Sequence, residues 1–247
     1  MLSYQLYEHT KGSPLVLFSH GLGEYGTLYE PLVKQLNAAG YSVILYDVRG
    51  HGVLEPKGTL KDYQDLIKDI DEILNQNRRD RKVFLMGHSM GAMISNLYAV
   101  TNREIDGVIS IGYQYHPIKA VKWMGLLFPK KRLHLNWSDP RSRHEKTNAE
   151  IEDPNLLKSV SFKFLYETIH KANKVVRQGL KQYPCPILVM HGGADKIVPL
   201  HNAHALYDHL PQPKEMIVYP DSYHDVLLDI DQTLVVEDII NWLNQYK

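Results

Sequence analysis

Cysteine is almost missing from this chain: Cys185 is the only one in 247 residues, which excludes an intramolecular disulfide framework and any Cys-based zinc or iron–sulfur site. An excess of charge of either sign is missing too, because 28 Lys+Arg stand against 28 Asp+Glu. Nucleic-acid binding needs a basic surface to neutralise phosphates, so no nucleic-acid partner is expected. Long apolar runs are also lacking. The richest stretches, 14–18, 43–46 and 187–190, fall far short of a membrane span and fit buried strands instead. The opening residues, Met1-Leu2-Ser3-Tyr4-Gln5-Leu6-Tyr7-Glu8, carry neither a basic leader nor an apolar stretch of signal length. A cytoplasmic, reducing location is therefore expected, and a lone thiol suits it. What is present, 44% hydrophobic and 23% charged residues, is ordinary for a folded globular chain.

Short β-type runs each end in a turn containing glycine. Residues 15–19 lead into His20-Gly21-Leu22-Gly23, residues 42–46 into Asp47-Val48-Arg49-Gly50-His51-Gly52, and residues 83–86 into Gly87-His88-Ser89-Met90-Gly91. Further strands are expected at 108–111, 187–190 and 216–219. Continuous apolar strands without alternation require a sheet covered on both faces. Helical patterns lie between them at 29–39, 60–76 (opening after Thr59), 92–100, 203–210 and 235–246. This alternation predicts an α/β fold with a mostly parallel central sheet and right-handed crossovers, whose ligands sit at the carboxyl ends of the strands. From Gly112 to Tyr183 no clear strand is legible. That segment holds an apolar patch (Trp123, Met124, Leu126, Leu127, Phe128), a basic run (Lys130, Lys131, Arg132) and a helical pattern over 159–180. It reads as an insertion between two strands, giving a core of 1–112 and 184–247 and a mainly helical cap of 113–183.

Gly87-His88-Ser89-Met90-Gly91 matches G-x-S-x-G. A chain of this length carries that pattern by chance with a probability on the order of 0.1. Its context adds weight, because it follows a strand and opens a helix, the setting of a nucleophile elbow. A serine hydroxyl is a poor nucleophile at neutral pH and needs a base, usually a histidine oriented by a carboxylate. In such enzymes the order is Ser, acid, His, the last two on turns after later strands. Asp195 sits just past the strand at 187–190, and His224 shortly after the strand at 216–219. Asp221, Asp225 and Asp229 compete for the acid role but lie on the histidine's own segment. The oxyanion needs N–H donors aimed in advance, and Met90, after the nucleophile, and Leu22, in the turn after the first central strand, are the candidates.

His20-Gly21-Leu22-Gly23-Glu24, Tyr46-Asp47-Val48-Arg49-Gly50-His51-Gly52, Gly87-His88-Ser89-Met90-Gly91, His191-Gly192-Gly193-Ala194-Asp195 and Tyr223-His224-Asp225 stand in the order and spacing of α/β-hydrolases. The chain resembles the monoacylglycerol lipase / lysophospholipase-like group most closely, over roughly residues 14–246. The resemblance implies a serine-dependent carboxylic ester hydrolase with Ser89, Asp195 and His224 as triad and Leu22 and Met90 as oxyanion donors. It also implies a cap after the group's sixth strand, where 112–183 falls, and no cofactor or metal. The group often has Arg-Ser after the Gly-His-Gly turn where this chain has Val53-Leu54, and the N-terminal strands are abbreviated.

The remaining residues have plainer expected roles. His20 and His88 are expected to fix their loops, and Asp47, Arg49 and His51 to stabilise their turn. His201, His204 and His209 lack a carboxylate or Cys to complete a metal site. Cys185 is expected to be a buried hydrophobe. The patch at 123–128 leaves two places open, cap core or acyl-facing wall, and the basic run is either solvated or drawn to anionic lipid in transient membrane-surface contact through the cap. The expected reaction is hydrolysis of a small-molecule ester (monoacylglycerol, lysophospholipid or a medium-chain relative) through an acyl-enzyme. A serine serves an aminopeptidase, thioesterase or acyltransferase equally, and an aminopeptidase would need an amine pocket, for which Glu145, Glu150, Glu152 and Asp153 are candidates. A serine at the elbow weighs against the Asp-dependent chemistries of this fold. A non-catalytic binding module, the remaining alternative, usually shows a damaged triad.

Overall fold

The computed structural model describes residues 2–102 and 104–247. Strands β2 (Leu15–Ser19), β3 (Ser42–Tyr46), β4 (Val83–His88) and β5 (Gly107–Ile111) are buried at every position, as continuous apolar runs demand. With β1 (Tyr4–Tyr7), β8 (Ile187–Gly192) and β9 (Lys214–Tyr219) they form a seven-stranded sheet of order β1-β3-β2-β4-β5-β8-β9. All neighbours are parallel except β1, which pairs antiparallel with β3 at the edge.

Alternate residues along each strand feed two apolar layers. Leu15 and Leu17 join the layer built from helices α2 (Gln64–Asn77), α3 (Met90–Thr101) and α8 (His201–His209). Val16 and Phe18 join the layer that contains α1 (Glu30–Ala38) and α9 (Gln232–Tyr246), with Trp242 at its centre. Each fully buried leucine or phenylalanine stabilises the fold by about 1.5–3 kcal/mol relative to exposure. Helix α2 starts at Gln64, not after Thr59. Its entry is set by Asp62, whose side chain accepts from Gln64 N–H, and by Glu167 of the insertion, which accepts from Tyr63 N–H.

The insertion leaves the sheet after β5. Among the described residues this strand is the fifth, because the N-terminal edge there supplies only β1, and it holds the place that the resemblance numbers sixth. The insertion comprises α4 (Lys119–Leu127), β6 (Arg132–His134), the single turn α5 (Asn148–Ile151), β7 (Ser159–Ser161) and α6 (Phe162–Leu165). A π-helical stretch, Tyr166–Ala172, and α7 (Asn173–Gly179) complete it. Two short strands therefore exist where none is legible in the sequence; they pair antiparallel with each other. Helix α7 packs on α3 so tightly that a Cβ on Gly179 would lie 2.6 Å from Val100 Cβ.

Candidate active site

The elbow is built by close approach of backbones. Ser89 stands between β4 and α3 at φ 54° and ψ −110°, a conformation that costs a non-glycine residue about 1–3 kcal/mol. Its N–H is anchored to the Ile111 carbonyl of β5 at 2.8 Å. A Cβ on Gly91 would lie 1.8 Å from the Ser19 carbonyl oxygen of β2, and one on Gly87 2.2 Å from the Gly91 backbone. Glycine is thus a steric requirement at both positions, and the helix can start directly after Ser89.

The structure brings all three predicted triad side chains together. His224 Nε2 lies 2.9 Å from Ser89 Oγ, and His224 Nδ1 lies 2.7 Å from Asp195 Oδ2. The acid's other oxygen accepts from Ile197 N–H and Val198 N–H, each at 2.8 Å. Burial alone would raise the Asp195 carboxyl, but the His224 contact and the Val198 N–H outweigh it and hold it below its ordinary value. His191, whose role the sequence leaves open, donates from Nε2 to the Val198 carbonyl at 2.7 Å and buttresses the acid's loop. Leu22 and Met90 both line the cleft beside Ser89. The Leu22 N–H finds no acceptor among the described residues, and Met90 opens α3, where the first N–H groups have no acceptor within the helix.

Of the three competing carboxylates none is bonded to the His224 ring, and Asp229 has other work. Asp229 accepts from Tyr223 N–H at 2.7 Å and from His144 N–H at 3.0 Å, with His144 Nδ1 2.9 Å away. The Asp225 N–H donates to the Ser142 carbonyl at 2.8 Å, and the His144 ring stacks on Tyr223 at 4.0 Å. The insertion therefore grips the residues on both sides of His224. It touches the His20–Gly23 turn as well, since Leu157 N–H donates to the Gly23 carbonyl at 2.8 Å and Tyr25 is bonded to Asp153.

His20 fixes its loop as expected: its Nδ1 lies 2.8 Å from the Gly21 carbonyl and its Nε2 accepts from Val48 N–H at 3.0 Å. Burial lowers its pKa. Asp47 accepts from Gly26 and Val53 N–H and holds its turn, whereas Arg49 reaches out of the turn to a bidentate pair with Asp69 on α2. Cys185 is buried and its thiol is pushed up to about 12. Ligand atoms of His88, His224 and Asp225 lie within 4.8 Å of one another. Both His224 nitrogens face Ser89 and Asp195, and His88 Nε2 donates to the His224 carbonyl, so this is a hydrogen-bond network, not a metal cage.

Ser89 and His224 open onto a cleft of about 300 Å³. Its apolar walls include Leu22, Met93, Ile118, Leu135, Trp137 and Ile169. The patch at 123–128 is divided: Met124 packs partly buried against the core, and the other four side chains occupy neither of the places expected for them. Helix α4 buries Val121 and Gly125, and a Cβ on Gly125 would lie 2.3 Å from Tyr166 Cβ. The opposite face leaves Trp123 58% and Leu127 64% exposed, beside Leu126 and Phe128. Within the basic run, Arg132 is tied to the Lys57 carbonyl and to Ser159. None of Glu145, Glu150, Glu152 or Asp153 lines the cleft; Glu150 instead closes a capping box with Thr147 and pairs with Arg143.

Residues 10–231 match the family described as serine aminopeptidase, S33. Phospholipase YtpA of Bacillus subtilis is 29% identical over 74% of this chain and 76% of its own length. The monoacylglycerol lipase of Mycolicibacterium smegmatis is 24% identical over 93% of this chain and 87% of its own length. The crystal structure of Paleococcus ferrophilus monoacylglycerol lipase superposes with a TM-score of 0.87 at 26% identity, covering 100% of both chains. The chain belongs to the serine aminopeptidase, S33, family, as an α/β-hydrolase of the monoacylglycerol-lipase-like kind and hence a carboxylic ester hydrolase.

Proposed function

We propose that Ser89 is the nucleophile, His224 its base and then acid, and Asp195 the group that orients His224, with residues 113–183 as a cap over the core of 1–112 and 184–247. The carrying observation is the hydrogen-bonded series from Ser89 through His224 to Asp195, at 2.9 and 2.7 Å, opening on a largely apolar cleft of about 300 Å³. His224 takes the Ser89 hydroxyl proton as Oγ attacks the acyl carbon. The N–H groups of Leu22 and Met90 hold the oxyanion. His224 passes its proton to the departing alcohol, and water then cleaves the acyl-enzyme with His224 again as base.

The substrate on this reading is a monoacyl ester of glycerol or a related lipid. The apolar walls suit one acyl chain, and the relatives named as monoacylglycerol lipase and phospholipase support the class. The exposed Trp123, Leu126, Leu127 and Phe128, flanked by Lys119, Lys122, Lys130 and Lys131, support transient contact of the cap with a lipid surface. No helix among the described residues is long and apolar enough to cross a membrane. A cytoplasmic setting goes with this reading, because the single buried thiol needs no oxidising compartment.

A panel of esters from C2 to C16 with glycerol and phosphocholine head groups, beside aminoacyl amides, tests the proposal. Ester turnover that vanishes in Ser89→Ala is expected. A Ser89→Ala protein that keeps most of its activity overturns the triad, and preferred turnover of aminoacyl amides overturns the substrate class.

A further inference from the structure

One buried ion pair lines the floor of the cleft and links the turn after β2 to the His224 backbone. Glu24 follows the oxyanion turn, His88 precedes the nucleophile, and both are almost wholly buried. Glu24 Oε2 accepts from Gly21 N–H at 2.6 Å and from the Tyr29 hydroxyl at 2.8 Å. Glu24 Oε1 lies 3.8 Å from His88 Nδ1. On the other side of the ring, His88 Nε2 donates to the His224 carbonyl at 3.0 Å, and the two imidazoles sit 4.8 Å apart. Both His88 nitrogens face oxygen: Nδ1 faces Glu24 and the Tyr29 oxygen, whose own proton is committed to Glu24, while Nε2 faces the His224 carbonyl and, at 3.9 Å, Asp225. A ring so placed keeps both protons.

We propose that Glu24 and His88 are positioning residues for the reaction: the carboxylate holds the Gly21–Leu22 turn in its donating geometry, and the imidazolium it stabilises holds the His224 backbone in line with Ser89. This rests on the triad reading above. Burial works against both charges. The partners outweigh it, taking Glu24 down to about 2 and His88 up to about 9. The other titratable groups around His88 are Tyr29, Asp225, His224, His20 and His191. Once His88 loses its proton, an uncompensated Glu24 carboxylate remains beside the oxyanion turn and opposes the negative charge that develops there. Misplacing a catalytic group by about 1 Å can cost on the order of 100-fold, and the pair sets two such groups at once.

The test is the pH dependence of kcat and KM from pH 6 to 10 with a water-soluble p-nitrophenyl ester, in wild type, Glu24→Gln, His88→Gln and Ser89→Ala. Glutamine at 24 keeps an acceptor for Gly21 N–H and removes the charge; at 88 it keeps a donor for the His224 carbonyl. The expected results are a wild-type kcat that falls as pH rises through about 9, and variants about 10- to 100-fold slower near pH 7 with little change in KM and no alkaline fall. A wild-type profile flat to pH 10 overturns the proposal whether or not the variants fold. So does a Glu24→Gln enzyme with wild-type kcat. If Ser89→Ala is inactive in that case, the positioning role alone falls; if Ser89→Ala is active, the triad falls with it.

Discussion

Replacing Ser89 by glycine removes the proposed nucleophile and also releases a strained backbone, and the two effects separate if glycine is compared with alanine. Alanine keeps a Cβ at φ 54° and ψ −110° and so retains strain of about 1–3 kcal/mol. Glycine sheds that strain but gives the unfolded chain more freedom, which costs about 0.4–1 kcal/mol. Both variants lose the 2.9 Å contact with His224, so it cancels from the comparison. Ser89→Gly should therefore be more stable than Ser89→Ala by up to about 2.6 kcal/mol. For a chain of this size each kcal/mol moves Tm by about 2–4 °C, so the glycine variant should melt up to roughly 10 °C higher. Calorimetry on the two variants under identical conditions reads the difference. A glycine variant that melts at or below the alanine variant refutes the idea that the elbow stores strain.

Three further outcomes are expected. Asp195→Asn keeps the size of the acid but offers His224 the wrong partner, and kcat on a p-nitrophenyl ester should fall on the order of 10³–10⁴-fold with the Tm little changed. Stability should decline at both ends of the pH scale. The Glu24 contribution is present above its unfolded value near 4.5 and is lost as pH falls toward about 2, while the His88 contribution is present below about 6.5 and is lost as pH rises through about 9. Thermal melts of wild type against Glu24→Gln should show the variant flatter in both windows. On the cap, the double change Leu126→Ser and Leu127→Ser should lower turnover of a vesicle-borne monoacylglycerol severalfold and leave turnover of a soluble short-chain ester as it was.

Much of this was legible in the chain because the central strands are continuous apolar runs and the chemistry sits in the turns that end them. Strands β2 and β3 lie where the runs place them, and Ser89, Asp195 and His224 come together at hydrogen-bond distance. The edges were harder to read. Strand β1, Tyr4-Gln5-Leu6-Tyr7, is a half-exposed antiparallel edge with no apolar run to mark it. Strands β6 and β7 have three residues each and exist only by pairing with each other. The start of α2 depends on Glu167, about a hundred residues away in sequence. Glu24 was in view as part of the His20–Glu24 motif, but its partner His88 lies in another motif, and only folding joins them.

The contacts of the insertion with Tyr223 and Asp225 have a consequence for how such an enzyme can change. Ser142, His144 and Asp229 make the mount of His224, the proposed base, partly a product of the insertion. A lineage or an engineer that exchanges the cap to reach a different acyl chain also disturbs the seat of His224. Selectivity and turnover are thus inherited together, and a graft that transfers one without residues 139–147 delivers a well-shaped cleft over a loosened base.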